Sequence, residues 1–239
     1  MSNDGKALYD ACDSSDSQKA LDLLNSWSAD RVRDAVRYKE EKFDCTPLHK
    51  ACSNGHADVV RVLLKYDDVD VNAKNKHRYA WQIGDASLHN ACALGDHADV
   101  VRVLLDHGDV DVNERGAVHG AAGPHWVKVA VLGMARTPHS CTCQFGWTPL
   151  HWACDEDHID VARLVLGHNN IDVRVKDYNG YTARSMAEDS IAEAWPAIME
   201  HIWRARLAVL VSKGYRVEPA LFSCLWSDLA MVEDTLQDD

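Results

Sequence analysis

Four segments of this chain carry one pattern, Leu-x-x-Ala-Cys, at Leu8–Cys12, Leu48–Cys52, Leu88–Cys92 and Leu150–Cys154. The last three read Leu-His-x-Ala-Cys, and Thr46-Pro47 and Thr148-Pro149 precede two of them. Each of these three leads into a second shared run: Asp58-Val59-Val60-Arg61, Asp99-Val100-Val101-Arg102 and Asp160-Val161-Ala162-Arg163. Then follow Val69-Asp70-Val71-Asn72, Val110-Asp111-Val112-Asn113 and Ile171-Asp172-Val173-Arg174. A chain that repeats its apolar positions in this order buries the same faces in every copy. It therefore folds by stacking copies on their neighbours, not by gathering strands and helices around one centre.

These motifs resemble the ankyrin-repeat family, whose unit is a β-turn and two short helices with a Thr-Pro-Leu-His-x-Ala signature. The resemblance implies an all-α solenoid of helix-turn-helix units with β-turn fingers and a helical C-terminal cap. About five units are expected over 1–190, starting near residues 6, 46, 86, 148 and 182, with 191–239 as the cap. Threonine suits the N-cap and proline the first helical position. In the second helix the spacing of Val59, Val62 and Leu63 predicts a buried stripe. Residues 29–39 leave room for an extra short helix before Thr46. Ala194–Ser212 is expected as a long helix with Pro196 in its first turn and Gly214 at its stop. A last helix from Pro219 is expected to fold back, with Leu221, Leu225, Leu229 and Val232 on one face.

The repeat leucines at 8, 48, 88 and 150 also serve as a ruler. Their steps are 40, 40 and 62, against a family period of about 33. Removing Val118–Gln144, 27 residues, restores the ordinary spacing between Asn113 and Thr148. Two readings account for the excess. It is a finger-loop insertion of the kind repeat proteins accept on one face, or it is translated intron, since Val codons begin GT and the segment can close in CAG.

The formal net charge of -12 argues against nucleic acid, whose phosphates call for a basic face. It favours a partner of neutral or basic surface, through steering. No stretch approaches the roughly 20 apolar residues of a membrane span, and the N-terminus lacks a signal-peptide core. An intracellular monomer with no membrane contact is expected. Of eight cysteines, Cys12, Cys52, Cys92 and Cys154 share one repeat position and read as small buried residues rather than a disulfide framework.

Thirteen histidines raise the question of zinc. His49, His89 and His151 hold the signature slot, and His56, His97 and His158 the turn between helices, so the repeat accounts for six. The cluster outside it, His119, His125, His139, Cys141 and Cys143, has a Cys-x-Cys spacing poor for structural zinc. No metal and no cofactor are expected. Neither a phosphate loop, a nucleophile elbow nor a metalloprotease helix is present, so the chain reads as non-catalytic. Positions that vary between units are free to serve a partner. The resemblance implies a concave surface of finger tips and first helices, on which Arg78, Tyr79, Trp81, Phe145, Trp147, Trp152, Tyr178 and Tyr181 are the candidate contacts. Aromatic and arginine side chains dominate such interfaces. The competing role for Trp147 and Tyr181 is packing between neighbouring fingers. Two further readings are a recruiting subunit of an enzyme complex, docked through 194–239, and a product with no selected partner.

Overall fold

The computed structural model describes residues 3–76, 84–95, 97–116, 146–187 and 189–213. Arg78, Tyr79, Trp81, Phe145, the insertion 118–144 with its His and Cys cluster, and the helix expected from Pro219 lie outside these residues. The chain divides into two compact units, Met1–Trp195 and Pro196–Asp239. The first is a stack of helix pairs.

Its opening unit has α1 (Asn3–Asp13), α2 (Ser17–Ser26) and the extra helix α3 (Ala29–Val36). Three regular pairs follow: α4 (Pro47–Ser53) with α5 (Ala57–Leu63), α6 (Ser87–Ala93) with α7 (Ala98–Leu105), and α8 (Pro149–Asp155) with α9 (Ile159–Gly167). A 3-10 turn at Ala183–Met186 stands where a fifth first helix would begin. Helix α10 spans Asp189–Ser212. No strand occurs among the described residues, apart from one isolated bridge between Lys176 and Thr182.

Seven-residue helices are too short to persist alone in water, so neighbours must hold them. First helices stack in order, α1 on α4, α4 on α6, α6 on α8, and α8 on the 3-10 turn. Second helices form a parallel row, α2 on α5, α5 on α7 and α7 on α9. Leu8, Leu48, Leu88 and Leu150 are buried between the layers, as are all four repeat cysteines. Burial in apolar surroundings pushes the thiols of Cys12 and Cys154 up to about 12, and those of Cys52 and Cys92 upward as well. A thiol held protonated behaves as a small apolar group.

Two sequence expectations are displaced. In α5 the buried residues are Val59, Val60 and Leu63, with Val62 half-buried. The helix is covered on three sides, by α4, α2 and α7, which widens its apolar face beyond one stripe. The C-terminal helix begins at Asp189, five residues before the expected Ala194, and Pro196 lies inside it. The Ile191 amide donates to Asp157 Oδ1 at 3.1 Å. That bond from the preceding unit gives the first turn an acceptor the local sequence does not supply.

Hydrogen-bond ladders run across the joints. Asn72 Nδ2 donates to Asp109 O (2.6 Å) and Asn72 Oδ1 accepts from the Asp111 amide (3.0 Å). Asn113 repeats this with Asn170 O (2.7 Å) and the Asp172 amide (2.8 Å). Each Asn hooks the loop of the next unit. Arg174 takes the third such position, and its Nε donates to Asp172 Oδ1 beside it (3.3 Å).

Candidate binding face

Each signature histidine joins its own helix to the finger that follows. The Thr46 amide donates to His49 Nδ1 (3.2 Å), so Nε2 carries the proton and donates to Asp85 O (3.1 Å). His151 does the same between the Thr148 amide and Tyr181 O, at 3.2 Å each. His89 accepts from the Ala86 amide (3.2 Å) and donates to Glu114 O (2.9 Å) and Trp147 O (3.2 Å). These pairings need a neutral ring. Burial lowers the pKa of His49 to about 4 and pulls those of His89 and His151 down as well. The turn histidines reach the preceding unit: His56 to Ser14 O (2.7 Å), His97 to Ser53 O (3.2 Å) and His158 to Cys92 O (3.0 Å). All six are thus engaged with backbone, as the repeat reading expects. Among the described residues no group of three His, Cys, Asp or Glu is placed to hold a metal ion.

The fingers are closed in one way. The residue just before each first-helix cap offers its carbonyl to an amide at the finger's base. The bonds are Glu40 to Cys45 (2.9 Å), Asn75 to Asp85 (3.2 Å), Gly116 to Trp147 (2.9 Å) and Asp177 to Tyr181 (2.7 Å). One residue earlier the backbone turns left-handed at Asp44, Gly84, Gly146 and Gly180, with φ of 49°, 110°, 73° and 91°. Glycine meets that demand without strain.

Between the second finger and the first helices lies an open groove of about 450 Å³. Phe43, Asn75 and Lys76 line it from the fingers, and Lys50, Asn90 and Trp152 from α4, α6 and α8. The last three all occupy the slot after the signature histidine. Its charges are locally compensated, because Lys50 Nζ pairs with Asp13 (2.9 Å) and Lys76 Nζ with Asp44 (2.7 Å). Leu94, also on its lining, is 61% exposed.

The described candidate residues separate by role. Trp152 is 5% exposed, with its ring edge-on to Trp147 at 4.7 Å between centroids. Its Nε1–H is buried and has no hydrogen-bond partner among the described residues. Trp147 is half-buried, and its own Nε1–H donates to Asp177 Oδ2 (3.3 Å), tying the third finger to the fourth. Asp177 Oδ1 in turn accepts from the amides of Asn179 and Tyr181, both at 2.8 Å. Tyr178 and Tyr181 are 59% and 56% exposed. The Tyr178 ring lies against Gly146, where a Cβ would come within 2.5 Å of it, and the Arg115 guanidinium sits 5.7 Å from the ring centroid. Trp152 and Trp147 therefore pack together, with Asp177 holding Trp147, and Tyr178 lies on the neighbouring Gly146. Lys50, Asn90, Leu94 and Arg115 join this face without having been picked from sequence. The slot shared by Lys50, Asn90 and Trp152 held the signal for two of them.

The family model described as ankyrin repeats (3 copies) matches residues 8–116 and 118–190. With the stacked pairs and capped first helices above, the chain belongs to the ankyrin-repeat family. Ankyrin repeats are generally protein–protein interaction modules, and proteins built from them are typically non-catalytic. No curated protein matches the chain. No described helix is long and apolar enough to cross a membrane.

Proposed function

We propose that this protein is a non-catalytic binding module that docks a protein partner on the face formed by its fingers and first helices. The observation that carries this is the groove beside Trp152. It combines an exposed leucine with half-buried polar side chains at the slots the repeat leaves free, around the buried Trp152 ring. That ring is largely closed off from solvent, so what a partner meets is the exposed leucine and the polar side chains around it. The stacked array is already ordered, so little entropy is lost on binding. Trp147 and Tyr178 extend the same face, and Arg78, Tyr79, Trp81 and Phe145 are assigned to it from sequence. The chain's negative charge suits a partner of neutral or basic surface.

The test places a photo-crosslinking residue at Asn90 in the groove or at Arg61 on α5, and identifies what each captures in cells. A partner caught from position 90 and not from 61, and lost in a Leu94→Ser/Tyr178→Ser variant with unchanged circular dichroism, supports the reading. Capture from position 61 alone, or capture abolished only by removing 196–239, refutes it and points to docking through the C-terminal segment.

A further inference from the structure

The signature-histidine and asparagine ladders that join neighbouring units also join the third unit to the fourth, across the 27-residue excess, with the same atoms. His89 Nε2 reaches Trp147 O over 58 residues, as His49 reaches Asp85 O over 36 and His151 reaches Tyr181 O over 30. Asn113 hooks Asn170 O over 57 residues, as Asn72 hooks Asp109 O over 37. The Gly116 amide closes the third finger on Trp147 O at 2.9 Å, as Asp177 closes the fourth on Tyr181 O at 2.7 Å. Helix α6 stacks on α8 as α4 stacks on α6.

Without residues 118–144 these three separations become 31, 30 and 4. The fourth finger shows the matching values, 30 for His151–Tyr181 and 4 for Asp177–Tyr181. The one-residue surplus of His89 is the extra residue of the Leu94–His97 turn. Gly146 then falls at the left-handed position of a finger with the length of Asp177–Tyr181, and its φ of 73° is already that of Gly180's neighbourhood, 91°. The flanking residues thus hold the geometry of a short, closed turn although residues 117–145 lie between them in the chain.

We propose that residues 118–144 are a separable cassette in the third finger, and that the 212-residue chain without them is a second folded form with the same array and the same groove. The device is a change of finger length that leaves the stacking untouched. It bears on both sequence readings of the segment, because either an insertion or a retained intron must leave the joint intact for the array to fold.

The test compares the full chain with a deletion of 118–144 and with a variant carrying 27 Gly/Ser residues in their place. Both variants are expected to unfold in one cooperative transition with the circular dichroism of the full chain. The deletion is expected to melt roughly 4–7 °C higher, since closing a turn costs less entropy than closing a loop about three doublings longer. Amide exchange at Gly116 and Asp172 should stay as slow as in the full chain. A deletion that loses the transition while the Gly/Ser variant keeps it shows that the joint needs the length. Loss in both shows that the segment's own residues hold the array. Exchange at Asp172 faster by tenfold or more shows that the Asn113 hook was broken. Any of the three overturns the proposal.

Discussion

The third unit lacks the cap that its neighbours have, and restoring it should stabilise the array. Thr46 and Thr148 each accept the amide of the histidine three residues on, at 3.4 and 3.5 Å, and each hydroxyl lies 2.7 Å from that histidine's Nδ1. Ala86 offers no such group, although its φ and ψ of -76° and 168° match the -91° and 164° of Thr46. Ser87 stands where the others have proline, and its hydroxyl is buried with no partner. The double change Ala86→Thr/Ser87→Pro adds one N-cap, worth about 1 kcal/mol. It removes an orphaned hydroxyl, worth about 1–3 kcal/mol, and stiffens the unfolded chain by about 0.4–1 kcal/mol. Ala86 already has the extended backbone that a residue before proline requires, and the Ser87 amide, at the first helical position, has no partner to lose. The expected gain is about 2–5 kcal/mol, or roughly 5–20 °C in Tm for a chain of this size. Urea and thermal unfolding followed by circular dichroism measure it, and amide exchange at His89 should slow in Ala86→Thr alone. A midpoint that stays or falls in both single variants would show that residues 86–87 do not share the cap geometry of 46–47 and 148–149, and the reasoning would fail.

Three further outcomes are expected. The buried His49 titrates at about 4 when folded and near 6.5 when unfolded. Its stabilisation is therefore complete above about pH 6.5 and is lost as pH falls toward 4, the loss reaching about 1 kcal/mol by pH 5.5. His89 and His151 shift in the same direction, so the urea midpoint should drop between pH 7.5 and 5.5; a flat profile contradicts neutral burial. Asn113→Ala removes two inter-unit hydrogen bonds on a wet edge and should cost about 1–2 kcal/mol, with faster exchange confined first to the Asp172 amide. Gly146→Ala puts a side chain at φ 73°, which costs about 1–2 kcal/mol, and forces Tyr178 off its seat. The loss should persist in a Tyr178→Ala background, where only the backbone term remains, and a restored Tm there would assign it to crowding instead.

The parts of this structure that were legible in sequence are those where one residue answers to its own helix. Thr46, Pro47 and His49 declare the start of α4, and Cys52 declares a small buried contact in every copy. Residues whose role is set by a partner far along the chain were harder to read. Asp157 is an ordinary turn residue until its carboxylate caps α10, 34 residues later. Trp152, an aromatic at a variable slot, reads as an exposed anchor, yet Trp147 covers it so that the ring forms the floor of the face. That contact crosses the joint between finger and helix, where no periodicity carries over. Lys50 and Asn90 share the slot of Trp152, but in sequence a lysine or asparagine there is indistinguishable from an ordinary surface residue.

An assembly that grows by adding like to like also needs a means of stopping. Asn72 and Asn113 each hold out a donor and an acceptor to whatever stands next in line. At the third position Arg174 turns its guanidinium back onto Asp172 and presents charge in place of a paired amide. The ladder of paired amides therefore ends at this residue, in a charge turned back on its own loop. Arg174→Asn would reopen the ladder, and the same substitution is where an engineer would begin in order to lengthen the array by another unit.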